Sequence, residues 1–298
     1  MKRTNNFMEL RALSKRYGNT VALNSINAMV PEGISLMVGE NGAGKSTLVS
    51  IIEGLTLPSS GNVFIRGLDC ISQNLEILKD GTFIPERPPV FGSGKVSEFL
   101  YWYSKFKGTT SESIMDMVSL FGVDYLLDSS FASLSMGETE IVQIVAALST
   151  NSDFYVLDEP NSNLDISRRI MLAGTVAEMH RKSGADFLIT SHMTDELLPV
   201  CHTLISIRRG EIGGIMDLKE IRQIGREEVK AYTSEPDKVL SELEKLAPHG
   251  VYISREGHTI TIRGRGARYL LRELSDPAFG SLSSVRMFPD LTKTDEKV

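Results

Sequence analysis

Cysteine is nearly absent from this chain. Two occur in 298 residues, Cys70 and Cys201, far apart and without the spacing of a zinc site, which argues against a disulfide framework or a structural metal and suits a reducing compartment. Long apolar runs are missing too: no window approaches the roughly 18 to 20 uninterrupted apolar residues that a membrane-spanning helix needs. Met1 to Asn6 is polar and basic with no apolar stretch behind it, so no secretory signal is expected. There is no surplus of positive charge. A net charge of −6 gives no overall pull toward nucleic acid. The length allows one large α/β domain and a smaller second one.

What the chain does have is Gly39-Glu40-Asn41-Gly42-Ala43-Gly44-Lys45-Ser46-Thr47, a full match to the phosphate-loop template G-x-x-x-x-G-K-[ST]. It follows the apolar run Ile34 to Val38, read as a strand, and precedes Leu48 to Leu55, read as a helix. A polyphosphate there would be cradled by backbone N–H groups that the glycines bring close and by the positive end of the following helix. Lys45 would reach the β- and γ-phosphates and the Ser46 hydroxyl would ligate Mg²⁺.

Strands are expected at Phe7 to Lys15, Val21 to Val30, Asn62 to Arg66 and Gly81 to Pro85, the last running into the loop Glu86-Arg87-Pro88-Pro89. Val96 to Leu127 changes to helical spacing (Val96, Phe99, Leu100, Tyr103; Ile114, Met117, Val118, Phe121) and reads as an inserted helical subdomain. Ser135 is placed to cap a helix running to about Leu148, with Glu138 completing a capping box. Buried strands are expected at Phe154 to Leu157 and Phe187 to Thr190, a helix at Ile166 to Arg181, and a hairpin around Gly210. After about Gly225 the order is β-α-β-β-α-β, ferredoxin-like, with its second helix at Ala267 to Leu274.

Phe154-Tyr155-Val156-Leu157-Asp158-Glu159 is an apolar strand ending in two acids. Asp158 is suited to hold Mg²⁺, and Glu159 to orient or deprotonate an attacking water. Taken alone, such acids are more often helix caps or solvated strand tips; combined with the phosphate loop, the reading reverses.

The ordered combination of phosphate loop, Leu134-Ser135-Met136-Gly137-Glu138, Asp158-Glu159-Pro160, Ser162-Asn163-Leu164-Asp165 and Thr190-Ser191-His192 resembles the ATP-binding-cassette (ABC) ATPases over about residues 7 to 222. The resemblance implies ATP as substrate, bound by Tyr17 stacked on adenine and by Gly39, Glu40, Asn41, Gly42, Ala43, Gly44, Lys45, Ser46 and Thr47. It implies Lys45, Glu159 and His192 as catalytic residues and Ser46, Asp158 and Glu86 around Mg²⁺. Ser135, Met136, Gly137 and Glu138 correspond to the signature that meets the γ-phosphate across a dimer, and Ser162, Asn163, Leu164 and Asp165 to the loop beside the opposite subunit's site. The sequence departs from the family's usual residues at Glu40 (Pro), Met136 (Gly), Glu138 (Gln), Glu86 (Gln) and Asn163 (Gly), and at Ile141 and Ala146, where basic residues are common.

The implied fold is an α/β phosphate-loop ATPase core: a mixed, largely parallel sheet with an antiparallel portion and an inserted helical subdomain (about 92–150). The expected division is 1–222 for the ATPase domain, 223–290 for a small α+β ferredoxin-like domain and 291–298 for a flexible tail. The implied assembly is a homodimer or heterodimer at the cytoplasmic face of the membrane, driving a separate permease. The tail resembles that of drug- and antibiotic-type exporter ATPases, whereas importer ATPases more often end in a small β-barrel. Phe91, Tyr101, Trp102, Tyr103 and Phe106 are candidates for a permease groove, or equally for core. A soluble ATPase acting on ribosomes or nucleic acid remains an alternative through Arg263, Arg265, Arg268 and Arg272, although nucleic acid is not the expected partner. A weakly hydrolytic regulatory cassette is another.

Overall fold

In the computed structural model, which describes residues 6–86, 94–192, 196–218, 227–233, 235–246, 251–263 and 282–289, β1 (Asn6–Tyr17) and β2 (Thr20–Pro31) form a long antiparallel hairpin closed by Gly18-Asn19. β3 (Ile34–Val38) follows and feeds the glycine-rich loop, then α1 (Lys45–Ile52). This helix starts a turn earlier than its apolar spacing predicts, because its first turn, Lys-Ser-Thr, is polar. β4 (Ser60–Ile65) and the two-residue β5 (Leu68–Asp69) complete a four-stranded sheet ordered β2-β1-β4-β5.

A short helix not foreseen from the sequence, α2 (Asn74–Asp80), leads to β6 (Gly81–Ile84). The helical insertion is α3 (Val96–Lys107) and α4 (Ser111–Phe121), capped at its N-terminus by Thr110, which accepts from the Ser113 amide. Then come α5 (Met136–Leu148), β7 (Phe154–Asp158), α6 (Ile166–Ser183), β8 (Asp186–Ser191), β9 (Thr203–Arg208) and β10 (Glu211–Asp217). The second sheet runs β10-β9-β3-β8-β7-β6, parallel from β9 to β6. β7 and β8 are buried along their whole length, as parallel strands covered on both faces must be.

The helix α1 is what joins the two sheets. Leu48, Val49, Ile51 and Ile52 are all buried, so no face of it is left apolar and exposed. One core holds Phe7, Leu13, Leu23 and Val63 from the antiparallel sheet, these helix residues, and Phe154, Val156 and Leu188 from the parallel one. The expected mixed α/β architecture is present, with its antiparallel part standing as a separate sheet.

The chain divides into two compact units, Met1–Met216 and Asp217–Val298. In the second, β11 (Glu227–Thr233), α7 (Pro236–Leu246), β12 (Tyr252–Glu256), β13 (Thr259–Arg263) and β14 (Leu282–Pro289) form an antiparallel sheet ordered β12-β13-β11-β14. Val239 and Leu243, one turn apart on α7, are buried, as are Ile260 and Ile262 on β13. The expected helix at 267–274, the arginines Arg265, Arg268 and Arg272, and the tail 291–298 lie outside the described residues.

Candidate nucleotide site

Every acid, base and loop singled out around the phosphate template lies at the carboxyl ends of neighbouring parallel strands. The loop follows β3, Asp158 and Glu159 end β7, His192 follows β8, and Glu86 follows β6. Open α/β sheets bind ligands at this edge. A cleft of about 390 Å³ opens there, lined by Glu40, Asn41, Gly42, Gly44, Lys45, Ser46, Thr47, Glu86, Glu159 and His192, with Ala22 and Ser162 at its sides.

Local backbone chemistry makes this edge receptive to anions. Gly44 caps α1 at φ +114°, and a Cβ there would meet the Ala22 carbonyl at 2.7 Å, so only glycine fits. The first intrahelical bond runs from Leu48 N to Gly44 O. The amides of Lys45, Ser46 and Thr47 are therefore left pointing out of the helix N-terminus.

Lys45 is 5% exposed and its ammonium donates to Gly39 O at 2.7 Å while standing 3.2 Å from Glu159 Oε1. Glu159 is held from several sides. Its amide donates to the Oγ1 of Thr190 at 2.9 Å and to the Thr190 carbonyl at 3.1 Å. Its Oε2 accepts from the His192 amide at 3.1 Å and lies 2.7 Å from His192 Nδ1. Because an ionised carboxylate can only accept, Nδ1 carries the proton in this pair. Glu159 also sits at φ +52°, a left-handed backbone that a non-glycine side chain adopts only when its surroundings enforce it.

Beside this trio, Ser46 Oγ donates to Glu86 Oε2 at 3.3 Å and also bonds the Asp158 carboxylate. Burial lifts the Asp158 pKa. Hydrogen bonds from Thr190 and Ser46 oppose that, and the neighbouring Glu86 and Glu159 charges add to it. A hydroxyl between two carboxylates is an oxygen-only donor set, which suits a hard divalent cation such as Mg²⁺. No cluster of three or more His, Cys, Asp or Glu that could cage a metal occurs among the described residues, so a cation here needs further oxygens from its ligand.

Other residues named from sequence fall elsewhere. Tyr17 is half exposed at the end of β1 with the Lys15 ammonium 4.8 Å from its ring centroid, outside the cleft lining. Ser135, Met136, Gly137 and Glu138 form the first turn of α5, also outside the lining. Ser135 and Glu138 make the expected capping box: Glu138 Oε2 accepts from the Ser135 amide at 2.9 Å and from its hydroxyl at 2.8 Å. Of the loop Ser162-Asn163-Leu164-Asp165, Ser162 reaches the cleft, Leu164 is buried, and Asp165 caps α6 by accepting from the Arg168 amide at 2.9 Å. Among the aromatics, Tyr103 is half-buried. Trp102 (68%) and Phe106 (83%) are exposed on α3 with Tyr101, and Phe91 is outside the described residues.

Sequence reading named Thr190 only as part of the Thr190-Ser191-His192 motif and gave no role to Glu140, for which a carboxylate beside an apolar run was the available signal.

A family model described as ABC transporter matches residues 23–162. The ribose import ATP-binding protein RbsA of Clostridium perfringens is 27% identical over 227 residues, covering 72% of this chain and 45% of that protein. The phospholipid-transporting ATPase ABCA3 of Homo sapiens is 31% identical over 215 residues, covering 69% of this chain and 12% of that protein. The chain thus spans a little under half the length of the ribose import relative and about an eighth of that of ABCA3. Among solved structures, an ATP-binding subunit of an ABC transporter superposes with a TM-score of 0.65 at 25% identity, covering 73% of this chain and 92% of that one. A dimeric bacterial ABC transporter cassette gives 0.63 at 20% identity, covering 70% and 98%, a likeness of fold.

Proposed function

This chain carries a cassette of the ABC transporter family, and we propose that it is an ATP-hydrolysing subunit that powers a separate membrane permease. The observation that carries the reading is the Lys45–Glu159–His192 trio set at the mouth of the phosphate loop. The loop amides and Lys45 hold the β- and γ-phosphates, and Ser46, Asp158 and Glu86 hold Mg²⁺, which supplies charge neutralisation across the phosphates when bound. Glu159 takes a proton from the attacking water, and His192 keeps that carboxylate turned toward the γ-position. Tyr17 packs on the adenine.

Ser135 and Gly137 do not border their own chain's cleft, so a second copy, or a sibling chain, brings them to the far side of the triphosphate. The dimeric form of a cassette with the same fold supports this arrangement. ATP then holds the pair shut, and loss of the γ-phosphate removes the contacts that favour closure. The exposed aromatics of α3 make a docking face for the permease at the cytoplasmic side of the membrane.

For direction we favour export. The β-α-β-β order and the β12-β13-β11-β14 sheet of the second unit support it over a β-barrel tail, although several relatives are named for import. The domain boundary near residue 222 and the absence of a nucleic-acid partner belong to the same reading. A slow, regulatory cassette is the second reading, favoured by the Glu138 carboxylate that occupies the Ser135 donors. The test is phosphate release from Mg-ATP by the purified chain, with and without membranes carrying its permease. Steady turnover abolished in Glu159→Gln supports the first reading; ATP-driven closure without turnover supports the second.

A further inference from the structure

Glu140 lies on α5, two residues beyond the capping box, and is 4% exposed between Thr139 and the apolar pair Ile141-Val142. Burial raises its pKa, partly offset by donors on a single loop. Asn163 Nδ2 donates to Glu140 Oε2 at 2.7 Å, and the amides of Asn163 and Ser162 face the same carboxylate. Arg169 adds positive charge nearby and donates from Nε to Leu164 O at 2.9 Å. Among the described residues the other Glu140 oxygen, Oε1, has no hydrogen-bond partner, nor has Gln143 Nε2 one turn along. A buried, incompletely bonded carboxylate costs stability relative to an apolar side chain of similar size. Packing alone therefore gives no reason for it.

The loop it grips does have a task. Ser162 borders the cleft, and its amide donates to the Glu159 carbonyl at 3.2 Å. On the other side, the Asn163 carbonyl lies against Gly137, where a Cβ would come within 2.7 Å. Asn163 stands where the resembling family usually has glycine, which has no side-chain donor to offer. A chain of contacts thus runs from α5 through Glu140, Asn163 and Ser162 to the strained backbone of Glu159.

We infer that Glu140 and Asn163 form a tether that positions Glu159 for attack on the γ-phosphate. Glu140 is a positioning residue, acting through the loop without touching substrate, and the inference rests on the proposed ATPase reading. A misplacement of a catalytic group by about 1 Å costs on the order of 10²-fold in rate. Loosening the tether therefore lowers kcat and leaves ATP affinity unchanged.

The experiment compares the full chain with Glu140→Gln, Glu140→Ala, Asn163→Ala and the Glu140→Ala/Asn163→Ala pair, measuring Mg-ATP turnover and binding of a fluorescent ATP analogue. The expected result is a kcat loss of about 10- to 100-fold in each alanine variant with binding and KM within about twofold. The losses in the double variant do not multiply, because both changes break one interaction. Glu140→Gln keeps an oxygen for Asn163 and recovers most of the rate. If Glu140→Ala fails to fold, Asn163→Ala and Glu140→Gln carry the test, since neither leaves a large cavity. Alanine variants with wild-type kcat, or losses that multiply, overturn the tether alone. A wild type that binds no nucleotide, or binds without turnover, overturns the proposed function and the tether together.

Discussion

The ammonium of Lys45 stands 3.2 Å from one oxygen of Glu159, with both side chains almost wholly out of solvent, while the other oxygen faces His192 Nδ1 at 2.7 Å. The carboxylate is therefore fixed between a cation and a ring N–H. Glu159→Gln keeps the shape and removes the basicity. Turnover is expected to fall by about 10² to 10⁴, the range for loss of a general base. ATP affinity is held or raised, because a negative charge leaves the phosphate site. Phosphate release and calorimetric titration together check this.

Glu138 occupies both the amide and the hydroxyl of Ser135, and those hydrogen bonds hold its carboxyl below the usual range. Where a partner's triphosphate approaches this turn, the carboxylate both repels it and competes for its donors. One unit charge at about 4 Å in water is worth roughly 1 kcal/mol, or about fivefold. Glu138→Gln is expected to strengthen ATP-induced dimerisation by about that factor, with the gain shrinking as salt rises. Light scattering across a salt series measures it.

Glu53, at the end of α1, has its pKa pushed up to about 7 by burial and by the nearby Asp158 charge. A carboxyl that binds its proton more tightly when folded gives stability at low pH. That stability is lost as pH rises from the ordinary carboxylate range through about 7. Glu53→Gln, which cannot ionise, is expected to melt at a higher temperature than wild type at pH 8. The advantage disappears at pH 5. Paired thermal melts at the two pH values decide the matter.

Gly44→Ala asks a side chain to adopt φ +114° with its Cβ 2.7 Å from the Ala22 carbonyl. The backbone term alone is on the order of 1 to 3 kcal/mol, and the overlap adds to it. Denaturant unfolding is expected to show a loss of at least about 2 kcal/mol, together with weakened nucleotide binding as the loop shifts.

Residues whose chemistry is written in local order were readable from the sequence. The phosphate loop, the Ser135 cap, the strand Ile34–Val38 and the paired acids at the end of β7 all lie where spacing put them. The start of α1 was hidden because Lys45, Ser46 and Thr47 carry no apolar periodicity. Seven-residue α2 and two-residue β5 are too short for any period to register. The purpose of Glu140 was hidden for a different reason. Its partner Asn163 is 23 residues away, and only the folded approach of loop to helix gives a carboxylate inside α5 a purpose. Thr190 is similar: its hydroxyl bonds Asp158 and the Glu159 amide from a neighbouring strand.

Trp102 is the only tryptophan in the sequence, and it projects from α3 with its ring edge-on to Tyr101 at 5.3 Å. It is not among the residues lining the phosphate cleft. Intrinsic emission excited at the indole band is thus a built-in optical gauge of whatever settles on that helix. A blue shift on adding permease-containing membranes, unaccompanied by any change on adding nucleotide alone, reads out docking without a dye or a label.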